Sequence, residues 1–354
     1  MNTPFISVVM VICNVERFLA ESIESILGQT FENFEFIIVD FGSTDNSKTI
    51  ASSYGARDGR IRFHEIPHCG LPEARNVGCL LAQGRYIAIM DSDDVSAPDR
   101  LMSEVEFMEA HPEVGLLGGA TEWIDAAGKS LRIDRFPTAD HEVRQDFAFR
   151  CPFCQPTVLI RREAFIRAGG YRAVFPQAED YDLWLRIAEH FQCANLEKVV
   201  LKYRIHPYQI SMRRRNQQTL CILAAQASAS GRRNGNPDPL NSVKEISPAT
   251  LVILGITEAA QQRTLAAECR QWIRHMCWAG EYTAALEAAM ELLHADWKYV
   301  ERWQIADLYL TIAGLYWRQK KLLKSLFALG RAVATRPMVV GRPLKPMLQR
   351  LGLA

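Results

Sequence analysis

The chain has 354 residues, 48% of them hydrophobic and 23% charged, with a formal net charge of +1. That balance excludes a disordered polypeptide and a uniformly basic nucleic-acid binder, and no window approaches the ~18 consecutive apolar residues of a membrane-spanning helix. No basic and apolar leader precedes the first strand-like run, and the nine cysteines are odd in number and scattered, so the expected compartment is the cytoplasm.

In chain order, Ile6 to Ile12 reads as a buried strand, and the segment after it sets Phe18, Leu19, Ile23, Ile26 and Leu27 on one helical face. Phe34 to Val39 predicts a second strand that closes on Asp40-Phe-Gly-Ser-Thr-Asp45, followed by a short helix over Ser47 to Tyr54. Ile61 to Glu65 predicts a third strand, Pro72 to Ala82 a helix, and Tyr86 to Met90 a fourth strand. Strands alternating with helices specify an α/β class with a mostly parallel sheet and helices on both faces. Ligands of such sheets sit beyond the carboxyl ends of the strands. Asn14, Asp40 and the acidic run Asp91-Ser-Asp-Asp94 all fall at those ends, so three turns bring polar groups to one crevice.

Asp91, Asp93 and Asp94 crowd three carboxylates into four positions and would repel one another without a cation. Oxygen-only donors favour Mg²⁺ or Mn²⁺ over zinc, and such ions usually complete their shell with substrate phosphates. The competing reading is a solvated acidic turn, with Asp94 capping a helix that begins near Pro98. Further on, Glu179 and Asp180 open an amphipathic helix, Tyr181 to His190, with Leu183, Trp184, Ile187 and Ala188 inward and Asp182 on its surface. They are either a capping pair or a catalytic pair. Cys151-Pro-Phe-Cys154 is a lone CxxC without a second pair, which reads as structural rather than as zinc or redox chemistry.

These residues together resemble the family 2 glycosyltransferases, inverting nucleotide-sugar enzymes of the GT-A fold. The resemblance covers about residues 5–210 and rests on five segments in order: the strand ending at Asn14, Ile37-Ile-Val-Asp-Phe-Gly-Ser-Thr-Asp45, Ala74-Arg-Asn-Val-Gly78, Asp91-Ser-Asp-Asp94, and Glu179-Asp-Tyr-Asp-Leu-Trp-Leu-Arg186 preceded by Gly169-Gly-Tyr171. The chain departs from the family where the opening strand lacks the Pro-Thr-Tyr often found before the Asn, and where Phe41 replaces a second Asp. The resemblance implies that Asp93, with Asp91, holds Mn²⁺ or Mg²⁺ against a diphosphate, Asp91 also facing the ribose. It implies Asp180 as general base with Glu179 beside it, and Asn14, Asp40 and Arg75 in the nucleotide-sugar site. For Arg75 the rival is an exposed helix arginine. His206 resembles a position near the metal, although a lone histidine is more often structural. Trp123 and the Gln155-Pro-Thr157 turn would border the acceptor, with core packing the rival for Trp123. A UDP-sugar donor and a glycan or lipid-linked acceptor of envelope polysaccharide synthesis follow as expectations. A nucleotidyltransferase is the rival enzyme, but the Gly-rich phosphate loop it needs after the first strand is absent. A noncatalytic scaffold on the same fold is the rival outside enzymology.

The expected organisation is a transferase domain over 1–212, a connecting segment over 213–248 and an α-helical accessory region over 249–354. Trp278-Ala-Gly-Glu-Tyr-Thr-Ala-Ala285 and Trp317-Arg-Gln-Lys-Lys-Leu-Leu-Lys-Ser325 recur about 39 residues apart, in the manner of tetratricopeptide-like helical hairpins. From Leu308 to the last residue there are nine Lys or Arg and no Asp or Glu, leaving the rest of the chain net acidic. Interleaved with Trp317, Leu322, Leu323, Leu326 and Phe327, this charge reads either as a surface for an anionic membrane, giving peripheral contact at the inner face of the cytoplasmic membrane, or as a solvated basic face. Nucleic acid is not expected as a partner.

Overall fold

A computed structural model of the chain describes residues 3–207, 209, 214–294, 298–299 and 301–336. The strands are β1 (Ile6–Ile12), β2 (Phe34–Asp40), β3 (Ile61–Glu65), β4 (Tyr86–Met90), β5 (Val95–Ser96), β6 (Val114–Ile124), β7 (Ser130–Asp134), β8 (Leu159–Arg161) and β9 (Gln192–Arg204). They form one sheet in the order β3-β2-β1-β4-β8-β6-β9-β5, with β7 off this path on β6. β3, β2, β1 and β4 are mutually parallel, as are β6 and β9, while β8 runs antiparallel between β4 and β6. The run Ile6-Ser-Val-Val-Met-Val-Ile does not alternate because a parallel strand covered on both faces has no solvent side.

Helices α1 (Glu16–Leu27), α2 (Ser47–Gly55), α3 (Leu71–Leu81), α4 (Arg100–Ala110), α5 (Asp140–Asp146), α6 (Arg162–Ala168) and α7 (Glu179–Ile187) accompany the sheet. Helix α1 buries Phe18, Leu19, Ile23 and Ile26 of the predicted stripe and leaves Leu27 half-buried, and Ser22 on that face donates to the Asp94 carbonyl at 2.6 Å. Helix α4 starts near Pro98 as expected, after Asp99, and Asp94 does not cap it. Its first residue, Arg100, is fully buried: the guanidinium donates to the Ile89 and Val158 carbonyls at 3.0 and 3.3 Å and pairs with Glu104 at 2.9 Å. The strand end that carries the acidic run is thereby braced by a buried cation.

The chain divides into two compact units. The first comprises residues up to Ile124, Arg132–Arg204 and Ala224–Ile246; the second comprises Asp125–Leu131, Ile205–Leu223 and the residues from Ser247 on. The stretch 213–248, expected as a connector, is therefore shared between them. It contains a long helix, α8 (Arg215–Arg233), where the sequence around Asn216 and Gly231 suggests loop. Its buried positions, Thr219, Leu220, Cys221, Ala224, Ala225, Ser228 and Ala229, follow a helical period, but four of the seven are Ala or Ser and carry little hydrophobic signal.

The second unit contains α9 (Pro248–Ile253), α10 (Glu258–Trp278), α11 (Tyr282–His294), α12 (Arg302–Arg318) and α13 (Leu322–Thr335). Helices α10 with α11 and α12 with α13 form two hairpins whose turns share one hydrogen-bond pattern. Glu281 N–H reaches back to the Met276 carbonyl at 2.9 Å in the first, and Lys321 N–H to the Tyr316 carbonyl at 2.9 Å in the second. Gly280 and Lys320 thus occupy equivalent left-handed positions, at φ 78° and 58°, so the structural repeat is one residue longer than the tryptophan pairing suggests. Lysine carries a steric cost there that glycine avoids. Lys320→Gly is expected to stabilise the chain by about 1 kcal/mol, less what glycine gains in unfolded-state entropy, read as a rise in the midpoint of thermal unfolding. A fall would mean that the lysine makes contacts outweighing its backbone strain.

Candidate active site

The parallel registers place Ile12 beside Asp40 and Met10 beside Met90, so the turns after β1, β2 and β4 leave the sheet side by side. Asn14 stands in the left-handed region at φ 57°, which Asn tolerates better than most residues. Its Oδ1 accepts from the Thr44 N–H at 2.8 Å, the Thr44 hydroxyl at 3.2 Å and the Asp45 N–H at 3.3 Å. Asn14 therefore shapes the turn after β2, with this acceptor committed to protein. Asp40 is buried, and its Oδ1 accepts from the Gly42 and Ser43 N–H groups at 2.9 and 3.0 Å. Its Oδ2 is buried without a hydrogen-bond partner among the described residues. Beside it, Phe41 stacks on His68 with centroids 6.3 Å apart, and His68 Nδ1 lies 3.1 Å from the Phe41 carbonyl. In the sequence Phe41 stands out only as a departure from the family pattern, and nothing marks His68.

The segment Ala74-Arg-Asn-Val-Gly78 lies on α3, and each of its polar residues has a distinct partner. Arg75 is buried rather than exposed on the helix surface: one arm meets Asp91 Oδ1 at 3.2 Å and the other pairs with Glu179, while the guanidinium faces the Tyr171 ring with 6.0 Å to its centroid. Asn76 grips the backbone of Tyr171 from both sides, accepting its N–H at 2.8 Å and donating to its carbonyl at 2.7 Å. Gly78 permits the helix to lie on the sheet, since a Cβ there would sit 2.5 Å from Val9. The segment thus joins the end of β4 to the Gly169-Gly-Tyr171 turn and to the start of α7.

The acidic run divides into three roles. Asp91 retains 28% side-chain exposure, and burial, with Asp93 and Asp180 nearby, pushes its ionisation up to about 6 against the opposing charge of Arg75. Asp93 is half-buried, and its carbonyl accepts from Arg204 Nε at 2.8 Å. Asp94 points inward: it is fully buried, its Oδ1 accepts the Arg204 N–H at 2.7 Å, and burial next to Asp93 and Asp91 holds its ionisation well above the usual range. Arg204, at the end of β9, also pairs with Glu21 at 2.6 Å and lies over the Phe18 ring at 4.7 Å. It is a buried cation beneath the acidic turn that no sequence motif marks.

Asp180 and Glu179 occupy the first turn of α7, entered through Ala178 at φ 53°. Glu179 is buried and paired with Arg75, whereas Asp180 is half-buried and accepts a short-range bond from the Tyr181 N–H at 2.7 Å. Burial raises the Asp180 ionisation, and Arg75 and the local N–H groups oppose the rise. Asp182, expected on the helix surface, is instead fully buried between Arg172 Nε at 2.9 Å and Arg186 at 2.8 Å. Helix α7 faces the sheet on one side and the Ala224–Ile246 segment on the other, so it has no fully solvated face. Arg172 continues to Asp238 at 2.8 Å, and Arg232 joins Asp238 and Glu189 at 2.6 and 2.7 Å, so a chain of ion pairs anchors α7 to residues 228–238.

Cys151 and Cys154 also belong to this region. Burial first, then Asp180 for Cys151 and Asp94 and Asp91 for Cys154, hold both thiols protonated well above their usual range. In the Gln155–Thr157 turn, Thr157 donates to the Cys154 carbonyl at 2.6 Å and accepts from the Gly119 N–H at 3.3 Å. Trp123 packs on Tyr203 at 5.8 Å between centroids, with Arg132 over its ring at 5.0 Å. His206 lies in the second unit, buried, with its N–H donating to Gln209 at 3.3 Å.

Asp91 and Asp93 suit a hard divalent cation: both present oxygen, both are reachable, and the burial that raises the Asp91 ionisation is reinforced by the nearby Asp93 and Asp180 carboxylates. No three His, Cys, Asp or Glu side chains among the described residues form a ready-made cage. The sequence profile of glycosyl transferase family 2 matches residues 7–173. EpsE of Bacillus subtilis (strain 168), named as a glycosyltransferase, is 39% identical over 207 residues, which are 57% of this chain and 73% of that one. The chain belongs to glycosyl transferase family 2. Another member, the O-antigen biosynthesis glycosyltransferase WbnJ of Escherichia coli, is 31% identical over 206 residues, 57% of this chain and 80% of WbnJ. The GT-A fold of the family extends to the solved structure of S. aureus TarS 1-349 in complex with UDP-GlcNAc, with a TM-score of 0.53 at 16% identity, covering 92% of this chain and 90% of that one. The chain spans 55% of the longer solved TarS. Family membership makes this chain a transferase and removes the nucleotidyltransferase alternative.

Proposed function

We propose that the chain is an inverting, metal-dependent glycosyltransferase that moves a sugar from a UDP-sugar to a hydroxyl of a glycan or lipid-linked acceptor in envelope polysaccharide synthesis, at the inner face of the cytoplasmic membrane. The observation that carries this reading is Arg75, whose two arms bring Asp91 and Glu179 into one buried cluster with Asp180 alongside. The turns expected to serve the donor and the helix expected to serve the acceptor are thereby held in one frame.

In this frame Asp180 is the general base. Glu179 has its charge committed to Arg75, which leaves Asp180 as the carboxylate of the pair able to take a proton, and its raised ionisation makes it a better base than a free aspartate. The acceptor oxygen bonds to the anomeric carbon as its proton passes to Asp180, and the electron pair of the breaking sugar–phosphate bond leaves with the diphosphate. One displacement from the opposite face inverts the anomeric centre. Mn²⁺ or Mg²⁺ held by Asp93 and Asp91 would offset charge on the leaving group. Asp40 Oδ2, buried without a hydrogen-bond partner among the described residues, is the atom left to accept from a uracil N–H or a ribose hydroxyl of the donor.

Thermal shift and donor hydrolysis across UDP-, GDP- and dTDP-sugars test the reading, each with Mn²⁺, Mg²⁺ or EDTA, for wild type and Asp93→Ala. The UDP series is expected to raise the unfolding midpoint with metal present, and the rise should vanish with EDTA and in the variant. Absence of nucleotide binding under every condition would overturn it in favour of a scaffold.

A further inference from the structure

We infer that the outer face of α13 is a docking surface for an anionic lipid bilayer, entered by leucine and phenylalanine side chains and held by lysines around them. The inference rests on the peripheral placement proposed above and assigns it to particular residues. In α13, Leu322, Leu323, Leu326, Phe327 and Val333 share one side of the helix and are all exposed, Leu323 by 84% and Phe327 by 72%. The opposite side, Ser325, Ala328 and Ala332, is buried against the rest of the hairpin. The helix therefore packs through its small residues and presents its large ones outward, the reverse of a helix whose only task is to cover a core. Leu323 and Phe327 also line a cavity of about 390 Å³ with Leu293, Ile312 and Tyr316, so the apolar surface continues inward between helices.

Charge selects the occupant. Lys320, Lys321, Lys324 and Arg331 are exposed on or beside the helix, and among the described residues none of them has an acidic partner. A second copy docking through the same face would set like charges against each other. A nucleic acid would take the lysines and leave the leucines in water. A bilayer containing anionic lipid satisfies both halves of the surface, with phosphate for the lysines and the acyl boundary for Leu323 and Phe327. No helix among the described residues is long and apolar enough to cross a membrane, so the contact is one that lies on the surface.

Sedimentation of the full chain with phosphatidylglycerol-containing or pure phosphatidylcholine vesicles tests this, without nucleotide or acceptor. Wild type should bind the anionic vesicles and not the neutral ones. Combined Lys320→Glu, Lys321→Glu and Lys324→Glu should weaken binding at least ~10²-fold, at ~5-fold per removed charge. Leu323→Ser with Phe327→Ser, at exposed positions that leave the fold intact, should weaken it at least ~10-fold while binding keeps its salt dependence. Binding that is insensitive to the serine pair would overturn insertion, and binding to neither vesicle would overturn the surface altogether. A change of oligomeric mass in either variant would assign the face to a second copy instead. Donor binding measured without vesicles is a separate readout, so failure here and failure of the transferase reading are distinguishable.

Discussion

Asp180→Asn is expected to lower the turnover number for sugar transfer by ~10²–10⁴-fold while leaving donor affinity within a few-fold of wild type. The amide keeps the size and position of the carboxylate and removes only its capacity to take a proton. Glu179→Gln is the informative companion, because Glu179 is paired with Arg75 and its loss should be felt in stability rather than only in turnover. The pH profile adds a second handle. A base must be ionised, and burial has raised both Asp180 and Asp91, the latter to about 6. In wild type kcat/KM should climb with pH on a limb above the ordinary carboxylate range, where Asp180 ionises, while the bound cation favours ionised Asp91 and draws its ionisation below about 6. Retention of transfer within a factor of a few in Asp180→Asn would remove the residue from the chemistry.

Much of the framework was legible from sequence because its physics is local. A parallel strand buried on both faces writes itself as a nearly unbroken apolar run, and β1 and β4 have the limits that such runs predict. The turns after β1, β2 and β4 were legible for the same reason, since polar residues at strand ends are the ones a parallel sheet aims at its ligand. What stayed hidden is pairing across the chain. Asp182 reads as a surface residue in sequence, Asp94 as either a cap or part of the acidic run, and Arg75 as a nucleotide-site residue with an exposed helix arginine as the rival; each is buried because a partner elsewhere in the chain meets it: Arg172, Arg204 and Glu179. Exposure of a charged residue cannot be read from helical position alone once a second layer covers the helix. Helix α8 stayed hidden through composition, because Ala and Ser bury well against close neighbours yet weigh little in any apolar pattern. The lone CxxC was read as structural from its spacing, and its protonated thiols beside the carboxylates add a location that spacing could not supply.

The second large effect is expected at Arg75. Arg75→Met should destabilise the protein by about 3–5 kcal/mol, because it leaves buried Glu179 and partly buried Asp91 with no cation between them. The same change should move the acid limb of kcat/KM further upward, since Arg75 is the charge that opposes the raised ionisation of both Asp91 and Asp180. The two effects are linked through protons. Carboxylates raised in the folded state bind protons more tightly than in the unfolded chain, so their contribution to stability is most favourable at low pH and is lost as pH rises through the raised values. Without Arg75 that loss should steepen between the unfolded carboxylate range and neutrality, and divalent cation should restore part of it in wild type and variant alike. Arg75→Lys separates charge from shape: one ammonium can face Asp91 or Glu179 but lacks the fork that spans both, so it should recover the pH profile more fully than the turnover number. If Arg75→Met kept both the unfolding midpoint and the acid limb of wild type, the bridge would be an ornament of the cluster, and the joining of the strand-end turns to α7 would have to come from Asn76 and the Arg172–Asp182 pair instead.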